Sequence, residues 1–264
     1  CDKYGTPCWT TSEDELLARD DVQAVVVCTP TGYHKDTVLK AAAAGKHVFC
    51  EKPMAMNVVD CEAMDAACRE AGVVLQIGFV RHFCNEWLKL REIIQDGIIG
   101  RPVVWRSVSG GSGAPTPWFF DKEIGGGPFI DGAVHSYDWA RFMFGEAVNV
   151  VTDIRRLKQS TTAWDTGTVI VNFASGDQQV VMWSWGLPGF GYAVKADSAH
   201  DVLGPLGAIM FPGGNQLQVN LADGEHMVEF EADSGSDWFR KQMGHFVECV
   251  KTGAQPIAGA REGI

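Results

Sequence analysis

The chain has 264 residues, 46% hydrophobic and 21% charged, with 22 Lys and Arg against 33 Asp and Glu for a formal net charge of −11. That length holds one large domain or two of ordinary size, and no run approaches the ~18 apolar residues of a membrane span. An acidic balance with no basic run argues against nucleic acid and anionic membrane as partners.

The 8 cysteines show no Cys-x-x-Cys spacing. Cys28, Cys50, Cys61 and Cys68 fall inside apolar segments, so they read as buried or semi-buried free thiols rather than a disulfide framework or a zinc site. A reducing, cytoplasmic setting is expected.

In chain order, Ser12-Glu13-Asp14-Glu15 is a capping-box sequence that opens a short helix through Ala18. Val22 to Cys28 is a continuous apolar run, the pattern of a strand covered on both faces. Thr29-Pro30 ends it, and an Ala-rich helix is expected from Tyr33 to Ala44, stopped by Gly45. A second strand, Lys46 to Cys50, runs into Glu51-Lys52-Pro53. Asn57 caps a helix with Val58, Cys61, Met64, Ala67 and Cys68 on one stripe, ending at Gly72. A third strand, Val73 to Phe79, closes on Arg81-His82. Three strands joined by such helices imply a parallel sheet, whose carboxyl ends line up Thr29-Pro30, Glu51-Lys52 and Arg81-His82 on one rim. Ligands of open α/β sheets bind at that rim.

After a helix from Phe83 to about Asp96 and a turn over Gly97–Pro102, the texture changes. Val103–Val108, Val148–Ile154, Thr168–Phe173, Gln179–Trp185, Ala208–Phe211, Gln216–Leu221 and His226–Glu231 read as strands separated by Gly- and Asp-rich turns. Two helices interrupt them, Phe129 to Phe144 and Asp237 to about Lys251. The expectation is a first domain over 1–82 with a parallel sheet, then an α+β domain over 83–264 with a mainly antiparallel sheet. Strands such as Val148-Asn149-Val150-Val151 and Val180-Val181-Met182 carry apolar residues on both alternations, which predicts a face available to a symmetric partner.

Two stretches carry chemistry. Lys52, held at a strand end by Pro53, is a cation at the sheet's functional edge. Asp131 and His135 are four apart, so on a helix they share a face, and a carboxylate beside an imidazole favours its protonated form and orients it as a base. Each taken alone reads as an ordinary surface turn and a helix-face ion pair. The glycines of Gly125-Gly126-Gly127 either let backbone approach a ligand or permit a tight turn into the helix. Trp118 is a candidate sugar-stacking ring, whereas Trp183 and Trp185 read as sheet-face packing. His200, His226 and His245 lack metal-ligand spacing, so no metal is expected.

Thr29-Pro30-Thr31-x-x-His34, Gly45 through Cys50-Glu51-Lys52-Pro53, Gly78-Phe79-Val80-Arg81, and Gly125 through His135 with Asp138 and Arg141 resemble the Gfo/Idh/MocA family (glucose-fructose oxidoreductase and inositol dehydrogenase). The resemblance covers nearly the whole chain. It implies an NAD- or NADP-dependent oxidoreductase of sugars, inositols or related polyols, built as a Rossmann domain plus an open-sheet domain that often forms a homodimer or homotetramer. It places Lys52, Asp131 and His135 as the catalytic group, Thr29, Pro30, His34, Glu51 and Lys52 along the cofactor, and Arg81 at the substrate. The first Rossmann strand with its Gly-x-Gly-x-x-Gly turn is missing from this sequence, which reads as a fragment, and so is the residue that chooses NAD over NADP. A second reading on the same fold is a non-catalytic cofactor or sugar sensor.

Overall fold

The computed structural model describes Gly5, residues 8–187 and residues 200–264; the opening Cys1-Asp2-Lys3-Tyr4 lies outside the described residues. Two compact units form, Cys1–Gly78 with Gly244–Ile264, and Phe79–Met243. The expected boundary at 82/83 falls a few residues past the division at 78/79, and the tail of the chain returns to the first unit.

The first unit begins with α1 (Glu13–Leu17), β1 (Ala24–Val27), α2 (His34–Ala43), β2 (His47–Cys50), α3 (Val58–Glu70) and β3 (Leu75–Ile77). Ser12 caps α1 by accepting from the Glu15 amide, and Asn57 caps α3 by accepting from the Asp60 amide at 2.9 Å. Gly45 and Gly72 follow α2 and α3 with φ of 68°, the left-handed stop that a side chain resists. The strands pair in parallel in the order β1-β2-β3, with Val27 opposite Cys50 and Cys50 opposite Ile77. Strand β1 is shorter than expected. Val26 on it is 52% exposed, and Cys28, expected to be buried, is exposed at the strand's end.

The second unit holds α4 (Asn85–Gln95), β4 (Val104–Gly110), α5 (Val134–Phe144), β5 (Ala147–Arg155), β6 (Thr166–Phe173), β7 (Gln178–Ser184), β8 (His200–Gly204), β9 (Gly207–Gly213), β10 (Gln216–Leu221) and β11 (Gly224–Glu229). Its eight strands run β11-β10-β9-β8-β4-β7-β6-β5, antiparallel except for the β4–β7 pair. One face of this sheet carries Trp105, Val169, Val171, Val181, Val202, Ile209 and Leu217, which join the core with Trp87, Leu90 and Ile94 of α4 and Trp139 and Ala140 of α5. The register puts Val151, Ile170, Val180, Met182, Leu203, Met210 and Met227 together on the opposite face. Strand β8 was not foreseen, because Asp201, buried in its pairing with Arg106, breaks the apolar run.

Helix α6 (Asp237–Thr252) contains the division between the units, and α7 (Ala260–Gly263) ends the chain. In the first unit the tail completes the β3 edge, where the Ile77 amide donates to the Ala258 carbonyl at 2.8 Å. Phe246 packs edge-on against Phe49, with ring centroids 5.8 Å apart.

Candidate active site

In the first unit, the parallel register brings the carboxyl ends of three strands side by side. The Glu51 amide donates to the Val27 carbonyl at 2.9 Å, and the Gly78 amide donates to the Cys50 carbonyl at 2.8 Å. Those bonds fix where each chain leaves the sheet. Thr29 is exposed, Pro30 half-buried, and Glu51 and Lys52 half-buried, while Pro53 is buried behind a cis Lys52–Pro53 bond.

Glu51 is held tightly in this rim. Its Oε2 accepts from the Lys52 amide at 3.2 Å. A Cβ added at Gly78 would sit 2.8 Å from that same Oε2 and 3.2 Å from the Glu51 Cα, so only glycine lets β3 leave the sheet this close to Glu51. Desolvation, then the Glu51 charge, push the Cys28 thiol up.

His34 lies beneath this rim rather than on it. Its ring is 1% exposed, with Nε2 2.7 Å from the Thr29 carbonyl oxygen and Nδ1 2.9 Å from the Pro53 carbonyl oxygen. The side chain touches the backbone of two rim loops.

In the second unit, the helix expected from Phe129 to Phe144 is interrupted. Pro128–Gly132 forms a π-helical turn, closed by a bond of 2.7 Å from the Ala133 amide to the Pro128 carbonyl, and α5 starts at Val134. Asp131, 8% exposed, therefore sits in the wide turn, and half-buried His135 in the first turn of α5. The His135 ring lies edge-on to Phe79 at 6.5 Å.

The glycine triplet is explained by packing. A Cβ at Gly125 would lie 2.6 Å from the Trp118 carbonyl oxygen, and one at Gly127, whose φ is 76°, would lie 2.5 Å from the Trp164 carbonyl oxygen. These residues let three backbones close together ahead of Asp131. Half-buried Trp118 stacks on Phe119 with centroids 3.7 Å apart, so one face of its ring is already covered.

Arg81 is anchored on the same helix. Its Nη1 donates to the Ser136 Oγ at 3.2 Å, and its guanidinium lies 4.2 Å from the Trp87 ring centroid. Burial lowers its pKa to about 10, against the pull of Asp138, Cys84 and Glu86. Next to it, the His82 Nε2–H donates to both Asp138 carboxylate oxygens at 3.0 and 2.9 Å, with both side chains buried. The pairing of His82 with Asp138 was not foreseen. Its signal in the sequence was an aspartate beside Trp139 and Ala140 on the buried stripe of α5. Among the described residues, no three His, Cys, Asp or Glu side chains converge as a metal site.

Residues 1–79 match the model of an oxidoreductase family with an NAD-binding Rossmann fold, and residues 87–209 match the Gfo/Idh/MocA C-terminal domain. The chain is 32% identical over 261 residues to a myo-inositol 2-dehydrogenase of Thermotoga maritima, covering 94% of this chain and 75% of that protein. It is 28% identical over 265 residues to an NAD(+)-dependent scyllo-inositol 2-dehydrogenase of Bacillus subtilis, covering 97% of this chain and 75% of the other. The solved aldose-aldose oxidoreductase of Caulobacter crescentus, complexed with glycerol, has 32% identity and a TM-score of 0.79, over 95% of this chain and 75% of that one.

Proposed function

Since the chain belongs to the Gfo/Idh/MocA oxidoreductase family, we propose that it transfers hydride between NAD or NADP and a sugar, inositol or related polyol, with Lys52, Asp131 and His135 as the catalytic group. The observation that carries this reading is the presence of Lys52 in Glu51-Lys52-Pro53 and of Asp131 and His135 four apart, in a chain 32% identical to an inositol dehydrogenase over 94% of its length.

The rim fits a nicotinamide cofactor. Exposed Thr29 and half-buried Pro30, Glu51 and Lys52 stand beyond the carboxyl ends of adjacent parallel strands, where open α/β sheets take nucleotides. A bound nicotinamide supplies the hydride acceptor that no side chain provides. The chain's own residues handle the proton and the charge. His135 takes the proton from the substrate hydroxyl, and Asp131 orients the ring. The Lys52 ammonium steadies the alkoxide character that develops as the carbon is oxidised. Arg81 and Trp118 border the substrate.

The protein works as a homodimer or homotetramer in the cytoplasm, without nucleic acid or membrane partners. The apolar outer face of the second unit's sheet supports the assembly, with Val151 58%, Met182 47%, Leu203 48% and Met227 44% exposed on one side. No helix among the described residues is long and apolar enough to cross a membrane. Nicotinamide absorbance, followed while a panel of inositols and aldoses is mixed with NAD or NADP, tests the activity. Cofactor binding without reduction of any panel member would instead fit a sensor.

A further inference from the structure

We infer that β7 positions the Asp131/His135 pair through two side chains, Gln179 bonding the residue that follows His135 and Trp183 supporting the one that follows Asp131. The inference deepens the proposed function and rests on it for its effect on turnover. Both contacts come from one face of the strand, where Gln179, Val181 and Trp183 alternate toward the core. The Gln179 Nε2 donates to the Ser136 carbonyl at 2.8 Å. The Trp183 ring lies against Gly132, where an added Cβ would come within 3.0 Å of its Cζ2. Gly132 directly follows Asp131, and Ser136 directly follows His135.

Packing gives no reason for an amide at position 179. Its ladder neighbours Trp105 and Val171, and Val181 beyond it, are apolar and buried, and Gln179 itself is fully buried. Among the described residues nothing bonds its Oε1. An apolar chain of the same length would fill the place and leave no buried oxygen unpaired. What the amide adds is its NH2 group, because a carbonyl oxygen only accepts and an alkyl or thioether chain cannot donate to it.

The bond acts where side chains leave room. On the side of Phe129, Tyr137 and Arg141, α5 and the turn before it border an open cavity of about 360 Å³ that reaches Val169 and Val171 of β6 and Gln179 itself. Packing alone therefore leaves the helix space to shift. Two bonds to Ser136 remove that freedom, since Gln179 holds its carbonyl from the sheet and Arg81 holds its Oγ from the turn before α4. Asp131 belongs to the π-helical turn and His135 to α5, so their mutual placement depends on what both segments rest on. Both rest on β7.

The test is a pair of double-mutant cycles, read as kcat and KM for polyol oxidation. Gln179→Met keeps the chain length and removes the donor, and Trp183→Phe keeps a ring but withdraws its far edge from Gly132. Each should lower kcat by about tenfold, the scale of a small misplacement at the reacting centre, with KM little changed. Built on His135→Ala, neither should lower the remaining rate further, because no base is left to misplace. A full loss in that background would overturn the inference, as would single variants with the parent's kcat or a loss in KM alone. Urea unfolding separates a merely structural role: Gln179→Met should keep or raise the parent's midpoint, and a lower midpoint with the parent's kcat would overturn the inference. Should Gln179→Met fail to fold, the Trp183→Phe cycle decides. If the parent oxidises no polyol, the proposed function fails, and the His135 ring signals in NMR, assigned by their loss in His135→Ala, decide instead. They should shift in both variants, and ring signals matching the parent's would overturn the inference.

Discussion

His82 donates through Nε2 to both carboxylate oxygens of Asp138, at 3.0 and 2.9 Å, and neither side chain reaches water. The ring also meets Trp139 at 5.5 Å and Phe142 at 4.4 Å, both edge-on. The pair therefore pins α5, which carries His135, to the turn that carries Arg81. Removing one member leaves the other's buried polar atoms without that partner, at a cost of about 1–3 kcal/mol. Asp138→Ala should lower the stability read from urea unfolding by that amount, and a change under about 0.5 kcal/mol would show that the pair contributes nothing.

Gly78 should tolerate no side chain. In Gly78→Ala the new Cβ would meet Glu51 Oε2 at 2.8 Å and its Cα at 3.2 Å. The contact includes backbone, so the strain cannot be relieved by a rotamer change alone. We expect destabilisation of about 1–3 kcal/mol and a fall in turnover, since Glu51 leads directly into Lys52. Unfolding curves and rates of the variant check both.

His200 makes the fold sensitive to acid. It sits edge-on to Trp87 at 5.1 Å and near Phe211 at 5.5 Å. Burial, and then the Arg81 charge, lower its pKa to about 3. An unfolded histidine binds its proton near ~6.5, so between these values the unfolded chain holds more protons than the folded one. Stability present above ~6.5 is therefore lost as the pH falls towards 3. His200→Phe, which keeps a ring in the cage, should weaken that dependence. Urea midpoints at pH about 7 and about 5 for the two proteins give the answer. Equal slopes would remove His200 as a cause.

Lys52→Ala should cut turnover far more than stability, because a half-buried strand-end lysine contributes little to the core. Rates across the polyol panel, beside unfolding curves, separate the two effects. Equal activity in variant and parent would remove Lys52 from the mechanism.

Much of this was legible in the sequence, for identifiable reasons. Val22 to Cys28 and Lys46 to Cys50 read as strands of a parallel sheet because apolar runs alternate with helical patterns, and Asn57 and Gly72 bracket α3 as their backbone preferences require. The π-helical turn at Pro128–Gly132 was not legible, since one wide turn adds a single residue at the very start of a helix, where too little periodic pattern precedes it to show the shift. The roles of Gly125 and Gly127 depend on carbonyls of Trp118 and Trp164, distant in sequence. The family resemblance implies a place for His34 along the cofactor. That both its nitrogens meet backbone carbonyls needed coordinates.

The central claim is that His135 is the proton acceptor in an NAD(P)-dependent polyol oxidation, and a pH–rate profile in the oxidation direction tests it most directly. The parent's rate should climb with pH through one ionisation near neutrality. Asp131→Asn should move that ionisation to lower pH and reduce the rate, since a carboxylate favours the protonated ring. His135→Ala should abolish the ionisation and lower the rate about 10²–10⁴-fold. A His135→Ala protein that keeps the parent's inflection and rate would contradict the account.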